Sequence, residues 1–231
     1  MTSAVLTLSA LLAASTLMAP VAAAAPQTDP KADRPAAVPS GWKIVKGPEL
    51  DKFAARFGSR ADDRRAPSAG GDASARDIEP APWATAFQSV RNYKYVAPEF
   101  GYDAPNTAVL RARSSGIKGW ERFAIDVDRN TESVAFRSLA NNHYVSVEKN
   151  FTGASQNVLR ARSTVVNSWE RFDLYYDHEG EEHHYAIRSR LNGNFVSLET
   201  TSTGPLQYTL RASKAQLSGP SESFLLVPME F

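Results

Sequence analysis

The chain has 231 residues, 42% of them hydrophobic and 10% aromatic, which is enough apolar content for one folded domain with an additional segment. It contains no cysteine, which excludes disulfides, thiolate catalysis and cysteine-based zinc sites. Its 26 basic and 25 acidic residues nearly balance, which argues against nucleic acid or an anionic membrane surface as its partner.

Residues 1–24 have the pattern of a secretory signal peptide. No charged side chain precedes Asp29, residues 4–18 form an apolar run, and small alanines follow it. We therefore expect cleavage near Ala24 and a secreted, extracellular protein with no membrane attachment once the leader is removed. The alternative is an uncleaved anchor, because the apolar run is nearly long enough to span a bilayer.

Residues 25–82 are predicted to be a flexible, largely disordered linker, because stretches 26–39 and 60–82 are rich in proline and charge. Between these stretches, Pro48 is followed by Leu50, Phe53 and Phe57 at the spacing of one helix face. This spacing predicts a short amphipathic helix over residues 48–57. A helix of this length is marginal alone in water, so we expect it to pack on its own domain, with partner binding as the alternative.

Residues 83–231 contain three copies of one unit, and each copy has the same three sequence blocks in the same order. The first block is AFQSVRNYKYV (86–96), AFRSLANNHYV (135–145) and AIRSRLNGNFV (186–196). The second is VLRARS, VLRARS and TLRAS, and the third is WERFAI, WERFDL and SESFLL. A steady period of about 50 residues indicates a repeat architecture.

The alternation of apolar and polar residues predicts four strands in each unit. We therefore predict an all-β fold, a twelve-stranded β-trefoil with three pseudo-symmetric repeats at about residues 84–133, 134–184 and 185–231. Closure around a threefold axis removes unpaired strand edges. A three-bladed propeller would also have twelve strands, but propellers typically have four or more blades.

The turn between the first two strands of each unit is predicted from its asparagine. Asn141-Asn142 and Asn192-Gly193 favour the positive φ angles of a tight hairpin. Unit 1 has Asn92-Tyr93 at this place, and tyrosine is a poorer turn residue. We therefore expect a looser first hairpin.

These motifs resemble the fascin-like β-trefoil family. The resemblance rests on NYKYV, NNHYV and NGNFV for the turn into the second strand, LRAR for the third strand and WERF for the fourth. Animal fascins bundle actin with four such trefoils, whereas this chain has one, so actin bundling is not carried over. Secreted single trefoils of this kind are usually adhesive or carbohydrate-binding, which the resemblance implies here. The Gln-x-Trp signature of ricin-B-type lectins is missing, so their sugar-site residues are not transferred.

The loops between the second and third strands differ among the units, and variable loops on a rigid scaffold are where recognition tends to occur. An aromatic ring offers a flat apolar face to the C–H groups of a sugar, and an acidic side chain can accept hydrogen bonds from its hydroxyls. The candidate ligand-binding residues are Phe100, Tyr102, Asp103, Phe151 and Tyr208.

Other repeated side chains are expected to be structural. Trp120 and Trp169 precede a strand and are predicted to pack in the core or against a hairpin. The repeated glutamates are predicted to pair with an arginine of the LRAR strand, and the LRAR arginines are predicted to lie on a solvated face. The polar residues from His178 to His184 are interpreted as an inter-repeat loop rather than a metal site. These repeated glutamates and arginines are Glu121, Glu170, Glu222, Arg111, Arg113, Arg160 and Arg162.

The sequence therefore predicts a secreted, monomeric, non-catalytic binding module for a carbohydrate or cell-surface glycan, with no cofactor and no metal. No catalytic motif competes with the repeat. The alternative is a protein-interaction factor that is protease-inhibitor-like or adhesive, including binding of cytoskeletal-type proteins. A glycan-active enzyme is the third reading.

Overall fold

The computed structural model describes Val38 and residues 40–58, 84–180 and 184–229. The predicted signal peptide and the proline-rich stretch at 60–82 lie outside these residues. The described chain contains one α-helix, thirteen strands and four single-turn 3-10 helices. One more strand is present than the twelve predicted.

The strands follow the predicted repeat after a short N-terminal segment. That segment contains β1 (Trp42–Ile44) and α1 (Pro48–Phe57). Unit 1 contains β2 (Thr85–Ser89), β3 (Tyr95–Glu99), β4 (Val109–Ser114) and β5 (Phe123–Asp128). Unit 2 contains β6 (Ser133–Ser138), β7 (His143–Val147), β8 (Leu159–Ser163) and β9 (Phe172–Asp177). Unit 3 contains β10 (His184–Ser189), β11 (Phe195–Leu198), β12 (Leu210–Lys214) and β13 (Phe224–Pro228).

The first and fourth strands of the units form a closed antiparallel ring of six strands. Its order is β2-β5-β6-β9-β10-β13, and β13 pairs back to β2 over five residue pairs. A wider closed circuit of nine strands runs through the hairpins of units 1 and 2, because β4 also pairs with β8. Closure leaves the ring without a free edge.

The second and third strands of each unit form a hairpin, and the three hairpins meet one another at one end of the ring. β3 pairs with β4, β7 with β8 and β11 with β12. Bridges Val109–Arg160, Arg111–Thr209 and Val158–Arg211 join the three hairpins. A six-stranded ring covered at one end by three hairpins is a β-trefoil.

The core is built from the same positions of each unit. Phe123, Phe172 and Phe224 begin the fourth strands and are fully buried. Burying an aromatic side chain of this size stabilises the fold by roughly 1.5–3 kcal/mol at about 25 cal/mol per Å². The repeated apolar pattern therefore places its largest side chains at the centre of the ring.

Three asparagines hold the turns that enter the hairpins. Asn92, Asn141 and Asn192 each donate from Nδ2 to an alanine carbonyl on the third strand, at 2.8–2.9 Å. The following turn residue has positive φ in every unit, including Tyr93 at 55°. The predicted looser first hairpin is therefore wrong, because the asparagine bonds impose the same turn on tyrosine.

The N-terminal segment packs on the trefoil, as expected for its helix, so residues 40–58 belong to the folded body and not to the flexible part of the predicted linker. β1 adds a thirteenth strand alongside β9, with Lys43 opposite Tyr176. Helix α1 lies where it was predicted and buries Leu50, Phe53 and Phe57 in the main core cluster.

Helix α1 contacts the N-terminal end of β10, away from the hairpins. The rings of Phe53 and Phe57 lie 5.7 and 5.8 Å from that of Tyr185. Burial raises the pKa of the Tyr185 phenol. The helix thus covers the end of the ring that the hairpins leave open.

Candidate functional site

The loop of unit 1 between β3 and β4 brings together three of the predicted ligand residues. Phe100 is half-buried and meets Trp120 edge to face, with ring centroids 5.8 Å apart at 86°. The ring of Tyr102 lies 4.2 Å from the guanidinium of Arg111. Asp103 is exposed, and its backbone carbonyl accepts a 2.9 Å hydrogen bond from Asn106 in the loop turn.

The other two predicted residues lie on the neighbouring hairpins. Phe151 of unit 2 holds the position of Tyr102 and lies 5.6 Å from the guanidinium of Arg160. Tyr208 of unit 3 packs against the core, and its carbonyl accepts a 3.0 Å bond from the Ala112 amide. The five residues therefore do not converge on one site, and their ligand role stays a prediction.

The LRAR arginines form an interlock between units, which we call the arginine clamp: Arg111, Arg160 and Arg211. Each donates from Nε to a backbone carbonyl of another unit's loop, at 2.9–3.1 Å. Arg111 is 0% exposed and donates to Pro205 through both Nε and Nη2. Burial lowers its pKa. The predicted solvated face is wrong for Arg111, because its partner belongs to a loop distant in sequence.

A glutamate at the end of each second strand pairs with the clamp arginine of its own unit. The closest oxygen lies 3.5 Å from Arg111 in unit 1, 3.3 Å from Arg160 in unit 2 and 3.5 Å from Arg211 in unit 3. These glutamates are Glu99, Glu148 and Glu199. The clamp is therefore charge-compensated in all three units.

The glutamates of the third block are buried, but no ion pair with an arginine is seen for them in the described part of the chain. Glu121 accepts a hydrogen bond from the Lys118 amide at 2.7 Å, and Glu170 accepts one from the Asn167 amide at 2.8 Å. Glu222 accepts from the amides of Ser218 and Gly219, both at 3.0 Å. The predicted pairing is replaced by support of the turn that precedes each fourth strand.

The residue at the tryptophan position before the fourth strand has a different environment in each unit. Trp169 is partly buried against the core, as predicted, and lies 5.5 Å from the guanidinium of Arg162. Trp120 is 40% exposed and packs on Phe100 of the hairpin loop, so it makes the predicted hairpin contact and not the core contact. In unit 3 the position is Ser221. We call Phe100 and Trp120 together the aromatic platform.

Sequence comparison among the units contains a signal for the platform that the motif analysis missed. The residue after the second-strand glutamate is Phe100 in unit 1, Lys149 in unit 2 and Thr200 in unit 3. Only unit 1 therefore carries a ring at both this position and the tryptophan position. The two rings meet because the fold places the loop after β3 beside the start of β5.

A polar pocket of about 430 Å³ lies where units 1 and 2 meet. Its lining side chains are paired with one another: Tyr144 donates to Asp126 at 2.6 Å, and Arg171 donates to Asp128 at 2.7 Å. Arg171 also donates to Thr131 and Ser133, both at 3.0 Å. This network joins the two units and holds the start of β6 against β9.

The Asp128–Arg171 pair predicts a pH dependence of stability. The hydrogen bond from Arg171 lowers the pKa of Asp128 from 3.8 to about 2. Because the folded pKa is depressed, the pair's contribution is complete above pH 3.8 and is lost as the pH falls through about 2. Replacing Asp128 by Asn should lower the unfolding free energy at neutral pH by on the order of 1 kcal/mol.

Urea denaturation at stepped pH values measures this effect. The difference between wild type and Asp128→Asn should stay constant down to about pH 5 and shrink towards pH 2. A difference that stays unchanged down to pH 2 would show that Asp128 gains nothing from Arg171 in the folded state.

Neither a metal-ligand cluster nor a membrane-spanning helix occurs among the described residues. No group of three or more His, Cys, Asp or Glu side chains is placed to hold a metal ion within them. In the same part of the chain, no helix has both the length and the apolar character needed to cross a membrane.

Comparisons with known proteins give a shared fold and no family. No protein-family model matches the sequence, and no curated protein matches it. The structure of a mosquitocidal holotoxin is 11% identical with a TM-score of 0.52, over 67% of this chain and 18% of that one. The SDF2-like protein of Arabidopsis thaliana is 5% identical with a TM-score of 0.51, over 62% and 91%. A ricin B-like lectin of Macrolepiota procera in complex with lactose is 9% identical with a TM-score of 0.47, over 65% and 99%.

Proposed function

We propose that this chain is a secreted, non-catalytic module that binds carbohydrate through the aromatic platform of unit 1. The observation that carries the proposal is the exposed indole of Trp120, held edge to face by Phe100. A ring fixed before binding offers a flat apolar surface to a sugar and loses little conformational entropy when the sugar binds. The three units are proposed to be related by a pseudo-threefold axis, and the protein to act as a monomer.

Polar groups in the same loop as Phe100 supply hydrogen-bonding partners for sugar hydroxyls. Asp103 is exposed in the same loop and offers a carboxylate. The Tyr102 hydroxyl lies 3.5 Å from Nη1 of Arg113, whose guanidinium also pairs with Glu99. A small number of placed polar groups around an apolar face is typical of ligand sites. The loop therefore contains both kinds of contact that a sugar needs.

A glycan array probed with the purified full chain tests the proposal. We expect retained glycans, and we expect Trp120→Ala to weaken binding to them by at least about tenfold, because the stacking surface is removed. The matched control is Val165→Ala, which shortens a 56% exposed apolar side chain in the corresponding region of unit 2. Its binding should equal that of wild type.

Two results would count against the proposal. Equal retention of glycans by wild type and by a folded Trp120→Ala variant would remove the platform as the site. No retention of any glycan by folded wild-type protein would favour the protein-interaction alternative, whereas turnover of an arrayed polysaccharide would favour the enzyme.

A further inference from the structure

Unit 3 has an open groove at the place where the other units have large side chains. In unit 1 the place is filled by Phe100 and Trp120, and in unit 2 by Trp169 with Arg162 beside it. In unit 3 the matching residues are Thr200, Ser221 and Ser213. Small hydroxyl side chains thus replace rings and a guanidinium. The resulting unit-3 groove, formed by residues 197–201, 214 and 218–222, has a volume of about 340 Å³.

The two carboxylates of the groove are already satisfied by donors. Glu199 accepts from the Thr201 amide at 2.9 Å and the Thr201 hydroxyl at 2.6 Å, and these bonds lower its pKa. Glu222 accepts from the amides of Ser218 and Gly219. Neither carboxylate is therefore an open partner for a cation.

Lys214 is the cationic group that lines the groove. Its side chain is exposed at the end of β12, and it has no carboxylate within ion-pair distance among the described residues. The hydroxyls of Thr200 and Ser221 line the same groove. An ammonium group beside several hydroxyls suits a ligand that carries a negative charge and hydroxyl groups together.

We propose that the unit-3 groove binds an acidic sugar, with Lys214 pairing with the sugar carboxylate. The groove volume lies at the lower end of the range of small-molecule sites, about 300–1,000 Å³, which suits one acidic unit of a longer glycan. The hydroxyls of Thr200 and Ser221 hydrogen-bond the sugar hydroxyls. This inference rests on the proposed carbohydrate function but not on the aromatic platform, because the two sites lie in different units.

Titration calorimetry of the full chain with trigalacturonate tests the groove. Methyl-esterified trigalacturonate, which carries no charge, is the control ligand. Wild type should bind the acid at least about tenfold more tightly than the ester, equivalent to about 1.4 kcal/mol. Lys214→Gln should remove most of this preference. Added salt should weaken binding to wild type more than binding to Lys214→Gln, because one ion pair is screened.

Ser221→Trp is the sharpest variant, because it places in unit 3 the residue that units 1 and 2 carry in the same position. The substitution should fill the groove, abolish binding of the acid and leave the melting temperature close to that of wild type. Val165→Ala, at an exposed side chain of unit 2, should bind trigalacturonate as wild type does. Lys214→Gln, a surface change, keeps the test decisive if Ser221→Trp fails to fold.

The outcomes separate the groove from the proposed function. Unchanged binding of the acid by folded Ser221→Trp, or equal binding of acid and ester by wild type, would overturn the groove. If array glycans bind through Trp120 while trigalacturonate does not bind at all, the groove is overturned and the proposed function stands. If neither class of ligand binds, both are overturned.

Discussion

Replacing Phe53 by Ala should lower the free energy of unfolding by about 3–5 kcal/mol, the usual cost of deleting a fully buried aromatic side chain. Phe53 is buried at the covered end of the ring, 5.0 Å from the ring of Phe57 and 5.7 Å from that of Tyr185. Removing the Phe53 ring leaves a cavity between the helix and the strands. Because the strands form a closed ring, they cannot move far enough to fill it. Urea denaturation of the full chain measures the change.

Lys52→Ala is the matched control on the same helix. Its side chain is 74% exposed and pairs with Glu49 at 2.8 Å, so its removal should leave the free energy of unfolding close to that of wild type. If Phe53→Ala lowered the free energy of unfolding no more than Lys52→Ala does, the helix would contribute nothing to the stability of the ring. That result would return residues 40–58 to the role of a linker.

Arg111→Met should lower the free energy of unfolding by about 2–3 kcal/mol, because it removes the hydrogen bonds that the buried guanidinium donates to the Pro205 carbonyl. Arg111 is the fully buried member of the arginine clamp, and its guanidinium also lies under the ring of Tyr102. Methionine keeps most of the side-chain volume, so the loss reports the polar contacts rather than a cavity. Thermal or urea unfolding measures it.

Arg113→Met is the control for Arg111→Met, because both arginines pair with Glu99. Arg113 is 38% exposed and donates to no other unit in the described part of the chain, so its removal should cost less than about 1 kcal/mol. Equal losses for the two variants would mean that the contact between units adds nothing beyond the ion pair.

The trefoil could be predicted from the sequence because the same sequence blocks occur in three successive units. Three blocks in one order gave the strands of residues 84–229, and the spacing of Leu50, Phe53 and Phe57 gave the helix. A strand of three residues such as β1 gives no periodic signal in the sequence. It forms because β9 pairs with β6 only at Phe172, so the later residues of β9 can pair with β1.

The environments of the repeated polar side chains could not be predicted in the same way. The alternation of Arg111 with apolar neighbours is the pattern of a half-solvated strand, and the covering carbonyl of Pro205 is 94 residues away in sequence. Glu121 and Glu222 accept hydrogen bonds from backbone amides, and because every residue except proline has such an amide, the sequence does not show which amide will be the donor. Which residue covers which face is a property of the assembled units and not of one repeat.

The residues of the aromatic platform could be predicted only in part from the sequence. The sequence pointed to the variable loops and so to Phe100, but repetition made Trp120 look structural. Loop positions that differ between units sharing one fold, such as 100, 149 and 200, are the places to look for a binding role.

The most direct measurement for carbohydrate binding by unit 1 is an NMR titration of isotope-labelled full-length protein with a glycan retained on the array. Amide signals of residues 100–103 and of Trp120 should shift with increasing glycan, and those of helix α1 should not. Shifts confined to the pocket beside α1, lined by Lys52, Phe53 and Tyr176, would contradict binding at the aromatic platform.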